Sequence, residues 1–145
     1  MLVFSLELGR QLFVLMEYTF RASIKDAPTT ICLAEFDLTV KKGKQETVIP
    51  YAAINEVVLN RGGKKLFKAR VFAEGKSPIE ITNIYHATDK DVEDRSRAYS
   101  TFVRVLHFHL KDKSHATFAA MSGLLKIFQI PKKYSPADIP LEFLP

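Results

Sequence analysis

From its N-terminus the chain alternates. Leu2, Phe4, Leu6 and Leu8 share one parity, Gly9-Arg10 interrupts, and the even positions from Leu12 through Val14, Met16, Tyr18, Phe20, Ala22 and Ile24 are again apolar. A period of two puts such residues on one face of a strand, and glycine at the first central position suits a type II′ turn. The pattern predicts a hairpin over residues 2–24. A helix through residues 11–16, which are apolar on both sides, is the rival expectation.

Pro28 breaks this pattern within Lys25–Thr30. Cys32, Ala34, Phe36, Leu38 and Val40 then alternate with Glu35, Asp37, Thr39 and Lys41, which predicts one strand with a wet and a dry face. A turn at KKGK, a return strand QETVI ended by Pro50, a strand NEVVLN, a strand KKLFKARVFA and a strand PIEITNI follow. Gly62-Gly63 between two strand patterns predicts a two-residue type I′ turn with positive φ at both positions.

After these strands the period changes. Thr88-Asp89-Lys90-Asp91 predicts a helix start in the manner of a capping box, with Asp91, Glu93 and Asp94 at the positive end of the dipole. The helix is expected over residues 89–111, with Lys111 and Lys113 at its negative end. Val92, Tyr99, Phe102, Val103, Leu106 and Leu110 form the face expected to lie on the sheet. A second stripe, Ala98, Val105 and Phe108, points away and calls for another partner. The tail ATFAAMSGLLKIFQI, residues 116–130, is apolar and lacks acids. Read as a helix, it gathers Phe118, Met121, Leu124, Leu125 and Phe128 on one face, with Lys132 and Lys133 following. Pro131, Pro136, Pro140 and Pro145 keep the end extended.

The expected fold is therefore mainly β, a barrel or sandwich with one capping α-helix, plus a tail that is partly helical. Residues 1–113 form the domain, and residues 114–145 are the tail, packing on that domain or on a partner. The N-terminal stretch has no cationic n-region and does not read as a signal peptide; a start at Met16 is the alternative. One cysteine, Cys32, in an apolar run, predicts a buried thiol. It leaves no intrachain disulfide and fits a reducing cytoplasmic compartment.

The net charge of +5 is local. Residues 61–76 carry Arg61, Lys64, Lys65, Lys68, Arg70 and Lys76 against Glu74 alone, so this one segment accounts for the whole excess. A patch of that size attracts anions without making the entire surface a nucleic-acid binder.

The block ETVIPYAAINEVVL, preceded by the hairpin LTVKKGKQETVIP and followed by strand, hairpin, strand and helix, resembles the pattern of bacterial pleckstrin-homology-like (PH-like) domains. The likeness runs over roughly residues 17–111. It implies a curled antiparallel sheet sealed by one helix, and a scaffold used for protein interaction or self-assembly. Relatives that bind inositol phosphates present cations from the loop between the first two strands. Here that loop, Gly9-Arg10 or Lys25–Pro28, offers a single cation, so such binding is not expected.

Candidate chemistry is correspondingly sparse. A phosphate-cradling glycine loop leads from a strand into a helix, and Gly62-Gly63 leads into another strand. His107 and His109 lie two apart on a helix and so point about 200° apart. With His86 and His115 they suggest no metal site, and no cofactor motif is present. No nucleophile motif is found. The chain is expected to be a non-catalytic interaction module that self-associates or binds a protein partner. The candidate interface is Ala98, Val105, Phe108, Phe118, Leu124, Leu125 and Phe128. The alternative is peripheral binding to anionic membrane lipid, or another anionic ligand, through Arg61, Lys64, Lys65, Lys68 and Arg70 together with the tail. A nucleic-acid role ranks below both.

Overall fold

In the computed structural model, residues 5–7, 10–12, 14–63, 65–122 and 131–145 are described. Strands β1 (Ser5–Glu7) and β2 (Arg10–Leu12) pair antiparallel, with Glu7 opposite Arg10. Arg10 thus belongs to a strand rather than to the turn, and Gly9 lies outside the described residues. The rival helix is overturned, because residues 11, 12 and 14–16 are extended. Strand β3 (Val14–Phe20) buries Met16, Tyr18 and Phe20, as the alternation predicts, and stops before Ala22 and Ile24, which are exposed.

A four-stranded antiparallel sheet follows in the order β3-β4-β5-β6, with β4 (Thr29–Ala34), β5 (Asp37–Lys42) and β6 (Gln45–Pro50). The expected single strand from Cys32 to Val40 is two strands. Leu33 pairs with Leu38, so Glu35-Phe36 is a chain reversal. The even-numbered apolar positions lie on both sides of that reversal and only mimic one strand. In β4 the core residues are the odd ones, Ile31 and Leu33, whereas Cys32 sits on the other face, between Glu17 and Thr39, and is still buried. Between β5 and β6 only Gly43-Lys44 intervene, and Gly43 takes a φ of 59°, the conformation that favours glycine.

A 3₁₀ turn at Tyr51–Ala53 carries the chain from β6 into the second sheet. Tyr51 is fully buried there, and its hydroxyl donates to the Ala34 carbonyl at 2.6 Å. Strands β7 (Ile54–Gly62), β8 (Leu66–Ala73) and β9 (Ile79–Thr82) then pair antiparallel. Gly62 is the last residue of β7, opposite Leu66, so the loop is residues 63–65 and not a two-residue turn; Gly63 has a positive φ of 74° and Gly62 does not.

Asn83 divides the expected strand PIEITNI into β9 and β10 (Ile84–His86), which pairs with β11 (Val92–Asp94). This corrects the helix start. The Asp91 N–H donates to Thr88 Oγ1 at 3.0 Å, as a capping box would have it, but the bond closes the β10–β11 turn. Val92 is consequently strand and exposed. Helix α1 runs from Ser96 to Lys113. Asp94 Oδ1 accepts the Ser96 N–H at 2.9 Å, so one acid of the predicted cluster does serve the helix start.

The tail joins the second sheet. Strand β12 (Thr117–Ser122) pairs parallel with β7, and β13 (Lys132–Lys133) pairs antiparallel with β12, giving the order β13-β12-β7-β8-β9. The helical face expected of Phe118 and Met121 is overturned. β7 offers a row of unpaired backbone groups, and a strand there satisfies them while turning Phe118 and Ala120 inward beside Val57 and Leu59. Leu124, Leu125 and Phe128 lie outside the described residues. A last 3₁₀ turn, Leu141–Phe143, buries Phe143.

The described residues form a β-sandwich with one α-helix. Tyr99, Phe102, Val103, Leu106 and Leu110 of α1 are fully or almost fully buried, packed with Tyr18, Ile31, Leu38, Val57 and Val71 from both sheets. Of the predicted inward helix face, only Val92 is missing.

Candidate functional site

The basic segment lies on β7, β8 and their loop. Along β8, Phe67, Ala69, Val71 and Ala73 are buried and Leu66, Lys68, Arg70 and Phe72 are half-buried, the alternation of a strand with one inner and one outer face. Arg70 lies 3.3 Å from Glu80 and its guanidinium stands over the Phe72 ring at 5.4 Å. Both partners are well exposed, so the pair contributes at most about 1 kcal/mol. Arg61 has the opposite parity. It lies over Phe67 at 5.6 Å and donates to the carbonyls of Gly63 and, at 3.4 Å, of Glu142 in the tail. Lys65 is exposed in the loop, and Lys64 is outside the described residues. Arg61, Lys68 and Arg70 line one shallow hollow of about 270 Å³ with Asn60, Leu66 and Glu80. The structure thus brings three of the five predicted cations together. It gives two of them structural partners.

Of the predicted interface, Ala98 and Phe108 are exposed and Val105 is half-buried against the core. Phe118 is buried and has no surface to offer a partner. An aromatic residue that the helical stripe did not include joins this region. Phe36, at the β4–β5 reversal, is 66% exposed, and Phe108 is 68% exposed. Between them Lys113, at the end of α1, lies over Phe36 at 5.2 Å, donates to the Glu35 carbonyl, and donates to His109 Nδ1 at 3.0 Å. The His109 ring meets Phe108 edge-on at 5.7 Å and stacks on Tyr51 at 5.1 Å.

Both helix histidines are buried, and they point apart as the helical spacing predicts. His109 faces Tyr51, and burial with the Lys113 charge lowers its pKa. His107 faces the tail. It donates from Nδ1 to the Val103 carbonyl at 2.7 Å and accepts at Nε2 from the Tyr134 hydroxyl at 2.6 Å. Burial pushes its pKa down to about 4. Among the described residues no group of three His, Cys, Asp or Glu side chains could hold a metal ion. The Cys32 thiol points at Glu17 at 3.7 Å, and burial and that carboxylate raise its pKa, the reverse of nucleophile activation.

A hollow of about 780 Å³ opens between the sheets at the β3–β4, β5–β6 and β8–β9 connections. Two of its cations, Lys42 and Arg70, face the acids Asp26 and Glu80. Its lining mixes Phe20, Val40 and Ile49 with these pairs and holds no histidine or cysteine. Among the described residues no helix is long and apolar enough to cross a membrane. Compared with protein-family models, curated proteins and solved structures, the chain matches none of them.

Proposed function

We propose that the chain is a non-catalytic, PH-like interaction module of a bacterial cytoplasm that associates with a copy of itself or with a protein partner. Two antiparallel hairpin systems followed by one closing helix support the PH-like part of this reading. The observation that carries the interaction is the exposed pair Phe36 and Phe108, held on either side of the Lys113–His109 contact. Large exposed aromatics are enriched at the centres of protein interfaces. Three tyrosine hydroxyls of the interior serve the fold: Tyr18 donates to Thr82, Tyr51 to Ala34, and Tyr134 to His107.

The test is light scattering of the purified protein across a concentration series, beside Phe36→Asp and Phe108→Asp. The expected result is a concentration-dependent mass above the monomer that each substitution returns to the monomer, or a partner captured by the wild type and released by both variants. A wild type that stays monomeric and gains no partner, or variants that associate unchanged, would defeat the reading.

A further inference from the structure

Helix α1 turns Phe108 away from the core, opposite Tyr99 and Leu110, which are buried. At about 100° per residue, Arg104 and Lys111 fall to one side of Phe108 and Asp112 to the other. The neighbours on the two sides differ. On the first, His107 meets Tyr134 of the tail, and Lys111 lines a hollow of about 360 Å³ with Lys133, Tyr134 and Thr117. On the second, His109 stacks on Tyr51, and Lys113 donates to the Glu35 carbonyl at the β4–β5 reversal.

These two flanks of Phe108 carry opposite charge. The tail side presents Arg104, Lys111 and Lys133, all exposed, and the reversal side presents Asp112 and Glu35, also exposed. Glu56, an acid of the tail side, lies beyond β12 on β7, opposite Thr117. Lys113, a cation of the reversal side, is half-buried and spends its ammonium on the Glu35 carbonyl and on His109. Among the described residues Arg104, Lys111, Asp112 and Glu35 form no salt bridge. The surface is thus an aromatic ridge with a cationic flank and an anionic flank, and it is complementary to itself.

We infer that the occupant of the Phe36–Phe108 surface is a second copy of this chain, its α1 parallel to the first across a two-fold axis, with Phe108 against Phe108 and Lys111 of each copy on Asp112 of the other. This rests on the reading of that surface as an interaction site and names its partner and orientation. In an isologous pair each contact occurs twice, so the arrangement must satisfy both flanks at once. A two-fold axis parallel to the helices sets the cationic flank of each copy against the anionic flank of the other. A two-fold axis perpendicular to them sets cationic flank against cationic flank, with Arg104 of one copy facing Lys111 of the other, and is disfavoured. Lys111 and Asp112 are one residue, about 1.5 Å, apart along the helix axis, so they meet at matching heights in the parallel pair. Phe36, whose ring lies 5.2 Å from the Lys113 ammonium of its own copy, then also receives Lys111 of the other.

The test is sedimentation velocity of the full chain over a concentration series, at low and high salt. The expected result is a reversible dimer that salt weakens. Lys111→Asp and Asp112→Lys each set like charges together at two places and should associate about tenfold more weakly or less. Mixed in equal amounts, the two variants match at both places and should pair with each other better than either does with itself, and Lys111→Asp/Asp112→Lys in one chain should associate as the wild type does. Circular dichroism establishes folding. If a reversed variant does not fold, Lys111→Gln and Asp112→Asn should each weaken the dimer and remove part of its salt dependence. Tighter association of Lys111→Asp, which the perpendicular axis requires, or no recovery in the mixture, would overturn the proposal. A wild type that stays monomeric, yet holds a protein partner that Phe108→Asp releases, overturns this proposal and leaves the interaction reading standing. A monomer without a partner overturns both.

Discussion

The Nε2 of His107 accepts a hydrogen bond from the Tyr134 hydroxyl at 2.6 Å, joining α1 to the tail across 27 residues of sequence. The Val103 carbonyl takes the Nδ1 proton, which fixes the tautomer and leaves Nε2 as an acceptor. Phe118 and the Tyr134 ring pack on the imidazole at 5.0 and 5.6 Å, so the site is dry.

Acid should therefore weaken the fold. The His107 pKa is about 4 in the folded protein against an ordinary value of 6.5. A base whose folded pKa is depressed contributes stability that is present above 6.5 and is lost as pH falls from there toward 4, here on the order of 3 kcal/mol. His109, also lowered, acts in the same direction. Urea titrations at steps between pH 7 and pH 4 should show this loss, and His107→Phe should flatten the dependence. An unchanged slope in that variant would remove His107 from the account.

Tyr134→Phe removes one hydroxyl and leaves a buried ring nitrogen without its donor. The expected cost is about 1–3 kcal/mol. Combined with His107→Phe, which abolishes the orphaned acceptor, the loss should be smaller than the sum of the two single changes. Additivity in that double-mutant cycle would mean that the two groups do not interact.

Asn83 holds three structures at once. Its Oδ1 accepts the Phe67 N–H at 3.0 Å, and its Nδ2 donates to the Lys65 carbonyl and to Ser96 Oγ, both at 2.9 Å. Asn83→Ala should cost about 2–3 kcal/mol through the buried groups it orphans. Hydrogen exchange should show faster opening at the start of α1 and at the β7–β8 loop.

Phe118 and Met121 separate the strand from the helix that the tail sequence also allows. In β12 they face opposite sides, and only Phe118 is buried. Phe118→Ala should cost about 3–5 kcal/mol, whereas Met121→Ala should cost clearly less. Equal losses would place both on one face and contradict the strand.

These residues also show what the sequence could and could not disclose. β8 was legible because its period of two translates directly into burial, and α1 was legible from Tyr99 to Leu110 because the 3.6 period does the same. The helix start was not. Thr88 and Asp91 form the same local bond in a cap or in a hairpin turn, and the choice falls to the strand pairing of Ile84 with Asp94. A short apolar run such as residues 117–122 fits strand or helix equally; the exposed edge of β7, about sixty residues earlier in the chain, decides it. Phe36 looked like a core position because the reversal beside it happens to preserve parity. Of the candidate sites, the basic residues of β8 could be placed from the pattern alone. The burial of His107 could not, since its partner Tyr134 belongs to a segment whose docking only the three-dimensional structure defines.

The parallel pairing of β12 with β7 has a consequence for biosynthesis. β7 receives its outer neighbour from residues 117–122, so a growing polypeptide must emerge beyond residue 122 before that edge is covered. Until then the half-made sandwich displays a bare β-ribbon to the crowded cell, an invitation to pair with other nascent chains. A polypeptide stopped at residue 116 would keep that edge for good, which makes residues 117–122 the protein's own protection against clumping.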